Sequence, residues 1–343
     1  MRSGKIVNVY SRFLGVKYHK LHRPYYLLSS IVRRLRVVSL QAVEMATVWS
    51  EKMLQLLRKM NNFHSPGSSR TRCLRFMVAD QQVGWILPQM AAILRNFPDA
   101  FDPPSDGVLS LSSRLDTHSK RSEEVERVLQ SLRRSDALTC LKGWRDERYD
   151  VMARYCDVPL MSMERSATSL FGVRRYGVHI NGFCRSADGG LRMWLARRSA
   201  TKQTYPGRLD NLAAGGLAAG MSVGDTALKE CEEEACIPAA IAVKARSVTT
   251  VSYTYEEEEG IFPESQFVFD LELPADFQPR VGDGEVQEFY FLPMDKVKEL
   301  LVGGDFKPNC AMVVLDFLIR HSCIEPDTEP YYQEFVTGLH QTL

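Results

Sequence analysis

Three glutamates carry the clearest chemistry in this chain. Glu230, Glu233 and Glu234 stand at i, i+3 and i+4 in the run "GGLAAGMSVGDTALKECEEEACI" (215–237), which gathers them on one side of an α-helix. Like charges so close weaken a surface helix unless a cation sits among them. Hard divalent ions take oxygen ligands and keep several waters, so two or three carboxylates plus a substrate phosphate suit Mg²⁺, with Mn²⁺ as the alternative. Just upstream, Gly215 and Gly216 are expected to make a tight turn that lets the backbone approach a ligand, a Gly215 carbonyl completing the metal shell. An acidic run alone is more often a solvated helix face. The glycines and the spacing together favour a metal held against a diphosphate.

The elements that must position these residues are legible around them. Ser222 followed by Asp225 fits a capping box, so the helix is expected to start there. Val223, Ala227, Leu228, Cys231 and Ala235 then fall on a buried side, and Cys231 and Cys236 read as small hydrophobes. "YGVHINGFC" and "LRMWLARRS" alternate across "SADGG", a hairpin signature, with His179 a structural mid-strand histidine. "TKQTYPGRLDNLAAGG" reads as a long irregular loop leading into the helix. "AVKARSVTTVSYTY" and "SQFVFDLELP" read as strands separated by a solvated "EEEE" (256–259). "GEVQEFYFLP" is a further strand, "MDKVKELL" a short helix and "NCAMVVLDFLIRHS" a closing helix. Strands around one loop–helix predict an α/β sandwich.

The first half has a different texture. "MATVWSEKMLQLLRKMNNF" has helical spacing. "CLRFMVADQQVGWILP" reads as one or two strands turning near Gln81 and Gln82, and "PQMAAILRNFP" as a short helix opened by Pro88. "SEEVERVLQSLRRS" is a helix with glutamates in its first turn and arginines in its last, as the helix dipole favours. "LKGWRDERYDV" links this region to the next. These elements amount to an α+β module with no nameable chemical motif.

The run from Gly215 to Ile237 resembles the Nudix box, G-x5-E-x7-R-E-U-x-E-E-x-G-U with U aliphatic. Gly215, Glu230, Glu233, Glu234 and Ile237 match; Met221, Lys229, Cys231 and Cys236 depart from the pattern. In the family the first glutamate and the arginine brace the loop. Met221 and Lys229 remove both partners together, leaving Lys229 without that partner and the metal-binding carboxylates intact. "YGVHINGF", "GEVQEFYFLP" and the long loop are similar to a narrower subgroup, the thiamin-pyrophosphokinase-related Nudix hydrolases. "VGWILP", "FPDAF" and "LKGWRDERYDV" are similar to that subgroup's N-terminal module.

The chain is read as α+β: a basic leader (1–44), an accessory module (45–168), a Nudix α/β/α sandwich (169–325) and a tail (326–343), the resemblance running from about Cys73 to about Arg320. The resemblance implies metal-dependent hydrolysis of a diphosphate, with Glu230, Glu233 and Glu234 catalytic and metal-binding and Gly215 a backbone ligand. Glu285 and Glu288 are second candidates for the base, although an edge-strand position facing solvent suits them as well. Arg197, Arg198, Lys202 and Arg208 face the helix N-terminus as diphosphate anchors would. Tyr205 and Asp210 are placed to stack on an aromatic ring and contact its polar edge. Subgroup members act on thiamin diphosphate and its oxidised or damaged forms, releasing monophosphate and phosphate. ADP-ribose or another nucleoside diphosphate is the alternative substrate, and a non-catalytic binding protein the alternative class. With no GxxxxGK[ST], no kinase is expected.

The 343 residues carry a net charge of +1, which supplies no argument for a nucleic-acid or membrane partner. No apolar run approaches the length needed to span a bilayer. From Met1 to Val43 there is no Asp or Glu, while Arg and Lys recur among serines. That fits an organellar transit peptide, mitochondrial or other. A basic arm, or a later start at Met45 in a cytoplasmic protein, fits the same residues. Eight scattered cysteines without a CxxC pair argue for a reducing compartment.

Overall fold

The computed structural model describes residues 47–186 and 189–343; the basic leader and the alternative start at Met45 lie outside them. The described chain opens in helix α1, which runs from 47 to 60. β1 (Leu74–Val78) and β2 (Gln81–Ile86) follow as an antiparallel pair. Their turn lies at Ala79 and Asp80, both at positive φ (47° and 60°), as a two-residue hairpin loop requires. Gln81 and Gln82, expected in the turn, already belong to the strand.

α2 (Pro88–Leu94) starts on its proline, and β3 (Val108–Ser110) adds parallel to β1. α3 (His118–Arg134) is capped by Thr117 and ends on Arg133 and Arg134. It begins earlier than "SEEVERVLQSLRRS" suggested, so Glu123 and Glu124 fall in its second turn, not its first. β4 (Arg148–Val151) and β5 (Met161–Glu164) form a two-stranded ribbon. Phe63, Phe76, Leu109, Val128 and Phe171 make the core of this part.

The remainder is built on one sheet. β6 (Arg175–Arg185), β7 (Leu191–Arg198), β8 (Leu209–Asp210) and β9 (Ala213–Gly216) precede α4 (Val223–Ala235) and α5 (Ala239–Ala242). β10 (Arg246–Glu257), β11 (Gly260–Glu272), β12 (Val286–Pro293), α6 (Met294–Leu301), α7 (Pro308–Arg320) and α8 (Tyr332–Leu339) complete the chain. Strand order is β10-β11-β6-β7-β12, with β8 on β7 and β9 on β6. Only the β11–β6 pair is parallel.

α4 covers one face of this sheet, where Ala227, Cys231 and Ala235 meet Val178, Ile180 and Leu271. The other face is covered by α7, with Phe317 and Leu318 against Phe183 and Val268. That is the expected α/β/α sandwich. Met53 and Leu57 of α1 join this second face beside Phe335 of α8. The helix expected to open the N-terminal module therefore packs on the sandwich, and so does the tail. Trp49–Leu343 form one compact unit. Among the described residues no helix is long and apolar enough to cross a membrane.

β6 and β7 form the expected antiparallel hairpin, and β6 is buried on both faces. Its polar positions are not solvent-facing; they belong to an internal chain of hydrogen bonds. His179 Nδ1 meets Asn211 Oδ1 at 2.8 Å, and Asn211 Nδ2 donates to Asn181 Oδ1 at 3.1 Å. Asn181 Nδ2 in turn donates to Asp270 Oδ1 at 3.1 Å.

Candidate active site

α4 is held at both ends by local chemistry. Ser222 Oγ accepts from Asp225 N at 3.1 Å and donates to its carboxylate at 2.6 Å, the expected capping box. At the other end Cys236 adopts φ 51°, and Ile237 N donates to Cys231 O at 2.9 Å. Helices close this way on a left-handed residue, normally glycine, which is the residue the family pattern has at this place.

Glu230 and Glu233 line an open cavity of about 960 Å³. Lys229 Nζ stands between them, 3.3 Å from Glu230 Oε1 and 2.7 Å from Glu233 Oε2. Far from lacking a partner, Lys229 is held by both, and its bond to Glu233 pushes its pKa up to about 12. Burial raises the Glu230 carboxyl above its ordinary value. Glu234 departs from the expectation that all three share one open face. It is 7% exposed, and its Oε2 accepts from Ala214 N of β9 at 2.9 Å. One residue beyond Glu233 is about 100° round the helix, enough to turn Glu234 under β9. Burial, then Asp210 and Glu230, hold its carboxyl well above the usual range.

Gly215 and Gly216 do not form a turn. They are extended in β9, opposite Val178 and Gly177 of β6. They are glycine because of what approaches them. A Cβ on Gly215 would lie 2.8 Å from Glu230 Cγ and closer still to its carboxyl group. A Cβ on Gly216 would lie 2.8 Å from Tyr149 Cζ and closer to its hydroxyl.

The donor set fits a hard divalent ion. Two carboxylates converge beside bare backbone, one of them raised by burial, and an ammonium group lies in their midst, as a cation between them would. Met221, in place of the family's first glutamate, is exposed and adds no carboxylate.

The cations on the preceding loop divide. Arg198 and Lys202 line the cavity. Arg198 is buried and bonded to Asp210 at 2.8 Å, while Lys202 is paired with Glu285. Arg197 lies outside it, bonded to Asp305 at 2.9 Å, and Arg208 donates to the Gly304 carbonyl. All four cations are thus engaged within the protein. Tyr205 lines the cavity. Asp210 does not: it is buried among Arg198, Lys307 and Cys310, whose thiol donates to it at 2.7 Å. Of the two second bases, Glu285 lines the cavity, whereas Glu288 is bonded to Tyr290 on the exposed edge strand.

His179, Asp210 and Cys310 have the spacing of a metal site. Each already has a protein partner: His179 on Asn211, Asp210 on Arg198 and Lys307, and Cys310 on Asp210. Burial works against the Asp210 carboxylate, yet Lys307 and Arg198 hold its pKa well below the usual range, and burial keeps the Cys310 thiol protonated. Burial, reinforced by Lys307, depresses His179 to about 4, which agrees with a structural histidine. The group is a satisfied network.

The cavity is also lined by aromatic and acidic residues. Tyr255 and Phe262 stack at 4.5 Å and 3°. Glu264 is paired with Arg175 and accepts from Tyr253 Oη at 2.7 Å. The "EEEE" run is not a solvated loop, since only Glu258 and Glu259 form the turn. Glu256 accepts from Ser69 N at 3.0 Å, Glu257 lines the cavity, and Glu259 accepts from the Thr139 and Cys140 amides at 2.9 Å each.

Sequence reasoning missed one wall altogether. Arg145, Tyr149 and Arg165, from the first half of the chain, line the same cavity. No motif spacing links them to α4; "LKGWRDERYDV" was the one pointer.

A sandwich whose glutamate helix faces such a cavity belongs to the class of hydrolases that cleave pyrophosphate bonds. The comparisons give the family. Residues 175–309 match the NUDIX domain and residues 52–175 a domain of unknown function, DUF4743. "Nudix hydrolase 20, chloroplastic" of Arabidopsis thaliana is 35% identical over 291 residues, covering 82% of this chain and 77% of that protein. "Nudix hydrolase 24, chloroplastic" of the same plant is 37% identical over 258 residues, covering 75% and 70%. A solved structure, DR0079 from Deinococcus radiodurans, is 20% identical with a TM-score of 0.36, covering 49% of this chain and 97% of its own. The chain belongs to the Nudix hydrolase family, whose members generally need a divalent metal.

Proposed function

We propose that the protein is a Mg²⁺-dependent diphosphatase that converts thiamin diphosphate, and above all its oxidised or damaged forms, to monophosphate and phosphate. The reading rests on one observation. A single cavity is lined by the Glu230–Glu233 carboxylate pair and also by the Tyr255–Phe262 stack with the acidic Glu257 and Glu264. A diphosphate suits the first group, and a planar cationic ring suits the second. Similarity to a subgroup with that substrate points the same way.

Glu230 and Glu233 would hold the metal, with the Gly215 backbone beside them, and Glu234 locks β9 against α4. Once bound, the ion offsets charge on the diphosphate oxygens and makes water easier to deprotonate. Glu230 would serve as metal ligand or as proton acceptor; burial raises its carboxyl above its ordinary value where no ion binds it. Glu285 is weaker: although burial opposes its charge, Lys202 keeps its carboxyl below the usual value. Tyr205 closes over the ring. The basic leader and the chloroplastic relatives together support import into an organelle.

The test is a panel of thiamin diphosphate, oxidised thiamin diphosphates and ADP-ribose, with and without Mg²⁺, scored by phosphate against AMP release. Phosphate release that needs Mg²⁺ and disappears in Glu233→Gln is expected. AMP release would move the substrate to a nucleoside diphosphate. No turnover on any member would leave a ligand-binding protein.

A further inference from the structure

Two cations that line the cavity without a full set of partners come from the N-terminal module. Arg165 opens the 3₁₀ helix Arg165–Phe171 that follows β5. Its guanidinium is bonded to Glu147 at 2.7 Å and lies 5.4 Å above the Tyr149 ring. Arg145 is fixed through its backbone, whose amide donates to Glu164 Oε1 at 3.1 Å. Among the described residues its guanidinium has no hydrogen-bond or ion-pair partner, although it lines the cavity. Burial and the charge of Arg165 both disfavour the charged form of Arg145. Two guanidinium groups therefore crowd one carboxylate. Beside them Ser166 Oγ, also on the cavity wall, is buried with no partner.

These groups stand close to the Nudix box. Tyr149, over which Arg165 lies, presses on Gly216, and Gly215 presses on Glu230. The sandwich's own nearby cations are bound to Asp210 and Glu285, so they offer a substrate less. A surplus of positive charge with an idle hydroxyl, facing a metal-binding carboxylate pair, is the complement of a phosphoryl dianion. Planar guanidinium groups grip such a group by paired hydrogen bonds.

We propose that Arg145, Arg165 and Ser166 bind the terminal phosphoryl group of the substrate, so that the domain of unknown function supplies half of the active site. This rests on the diphosphatase reading for the substrate's class, but its test does not need turnover. The full chain is titrated calorimetrically with inorganic pyrophosphate in Mg²⁺, wild type against Arg145→Gln, Arg165→Gln, Arg165→Lys and Ser166→Ala. Arg114→Gln, an exposed arginine away from the cavity, is the control. Arg145→Gln is expected to weaken pyrophosphate binding about tenfold or more without changing the melting temperature, since its side chain supports nothing else. Arg165→Gln should weaken it similarly and Arg165→Lys less, while Arg114→Gln leaves it unchanged.

Equal affinity in wild type and Arg145→Gln overturns the proposal, and so does a wild type that does not bind pyrophosphate. If the variants lose pyrophosphate affinity but no organic diphosphate is hydrolysed, this inference stands and the hydrolytic reading falls. Hydrolysis with KM unaffected by Arg145→Gln gives the reverse.

Discussion

Gly216 is where the two halves of the cavity touch, and a single methyl group there tests that seam. In Gly216→Ala the new carbon would sit 2.8 Å from Tyr149 Cζ and nearer its hydroxyl oxygen, where ordinary contact needs well over 3 Å. The tyrosine is 6% exposed on β4, with Arg165 stacked above it, so its ring has little room to retreat. Overpacking of this kind costs about 1–3 kcal/mol. In a unit of this size that corresponds to a melting temperature lower by about 2–5 °C. Tyr149→Phe removes the nearest atom but keeps the ring, so the double variant should recover at least about 0.5 kcal/mol of the loss. Urea unfolding of wild type, the two single variants and the double variant closes the cycle. Strict additivity, or a Gly216→Ala protein as stable as wild type, would refute the idea that β9 is glycine here to admit the module's tyrosine.

Three further outcomes follow from the same geometry. Gly215→Ala pushes against the flexible end of Glu230, so it should preserve the fold while weakening Mn²⁺ binding about 10–100-fold, read by titration calorimetry. Cys236→Gly should stabilise the protein by about 1 kcal/mol in urea unfolding, because φ 51° strains any residue with a Cβ; a loss of stability would mean the thiol's packing outweighs the strain. Burial opposes the charge of Asp270, yet bonds from His321 and Arg320 depress its pKa from 3.8 to about 2. A depressed carboxylate stabilises above its unfolded pKa and loses that contribution as pH falls through the folded one, so about 2 kcal/mol should vanish between about pH 4 and 2. Asp270→Asn should flatten that part of the stability curve; an unchanged curve would mean the pairing carries no such weight.

What the sequence disclosed, and what it hid, follows from the range of each interaction. The box helix was legible because its determinants are local. Ser222 and Asp225 cap each other across three residues, and a 3.6-residue period places Ala227, Cys231 and Ala235 inward. β8 and β9 were hidden in an apparent loop because "RLDNLAAGG" has no alternation. These short strands exist only because β6 and β7 lie beside them. β6, the first strand of the expected hairpin with β7, was legible from its pattern. Its alternation is real, but His179 and Asn181 are buried polar groups satisfied by Asn211 and Asp270, which no local pattern announces.

The same reasoning explains why the cations suggested by the loop are engaged within the protein. Composition marks Arg197, Arg198, Lys202 and Arg208 as a basic cluster near a diphosphate site. Charge in a folded protein is set by partners, however, and those partners are distant in sequence: Asp305 for Arg197 and Glu285 for Lys202. Once these pairs form, the loop's cations chiefly hold the sandwich together. The free capacity for an anion passes to residues that resemble nothing by themselves. Arg165 becomes conspicuous only when the 3₁₀ helix lays it over Tyr149, which presses on Gly216, and Arg145 only as part of the same cavity wall. A glutamate helix can thus be read from one local stretch, whereas the cavity wall opposite it emerges only from the contact between two parts of the chain.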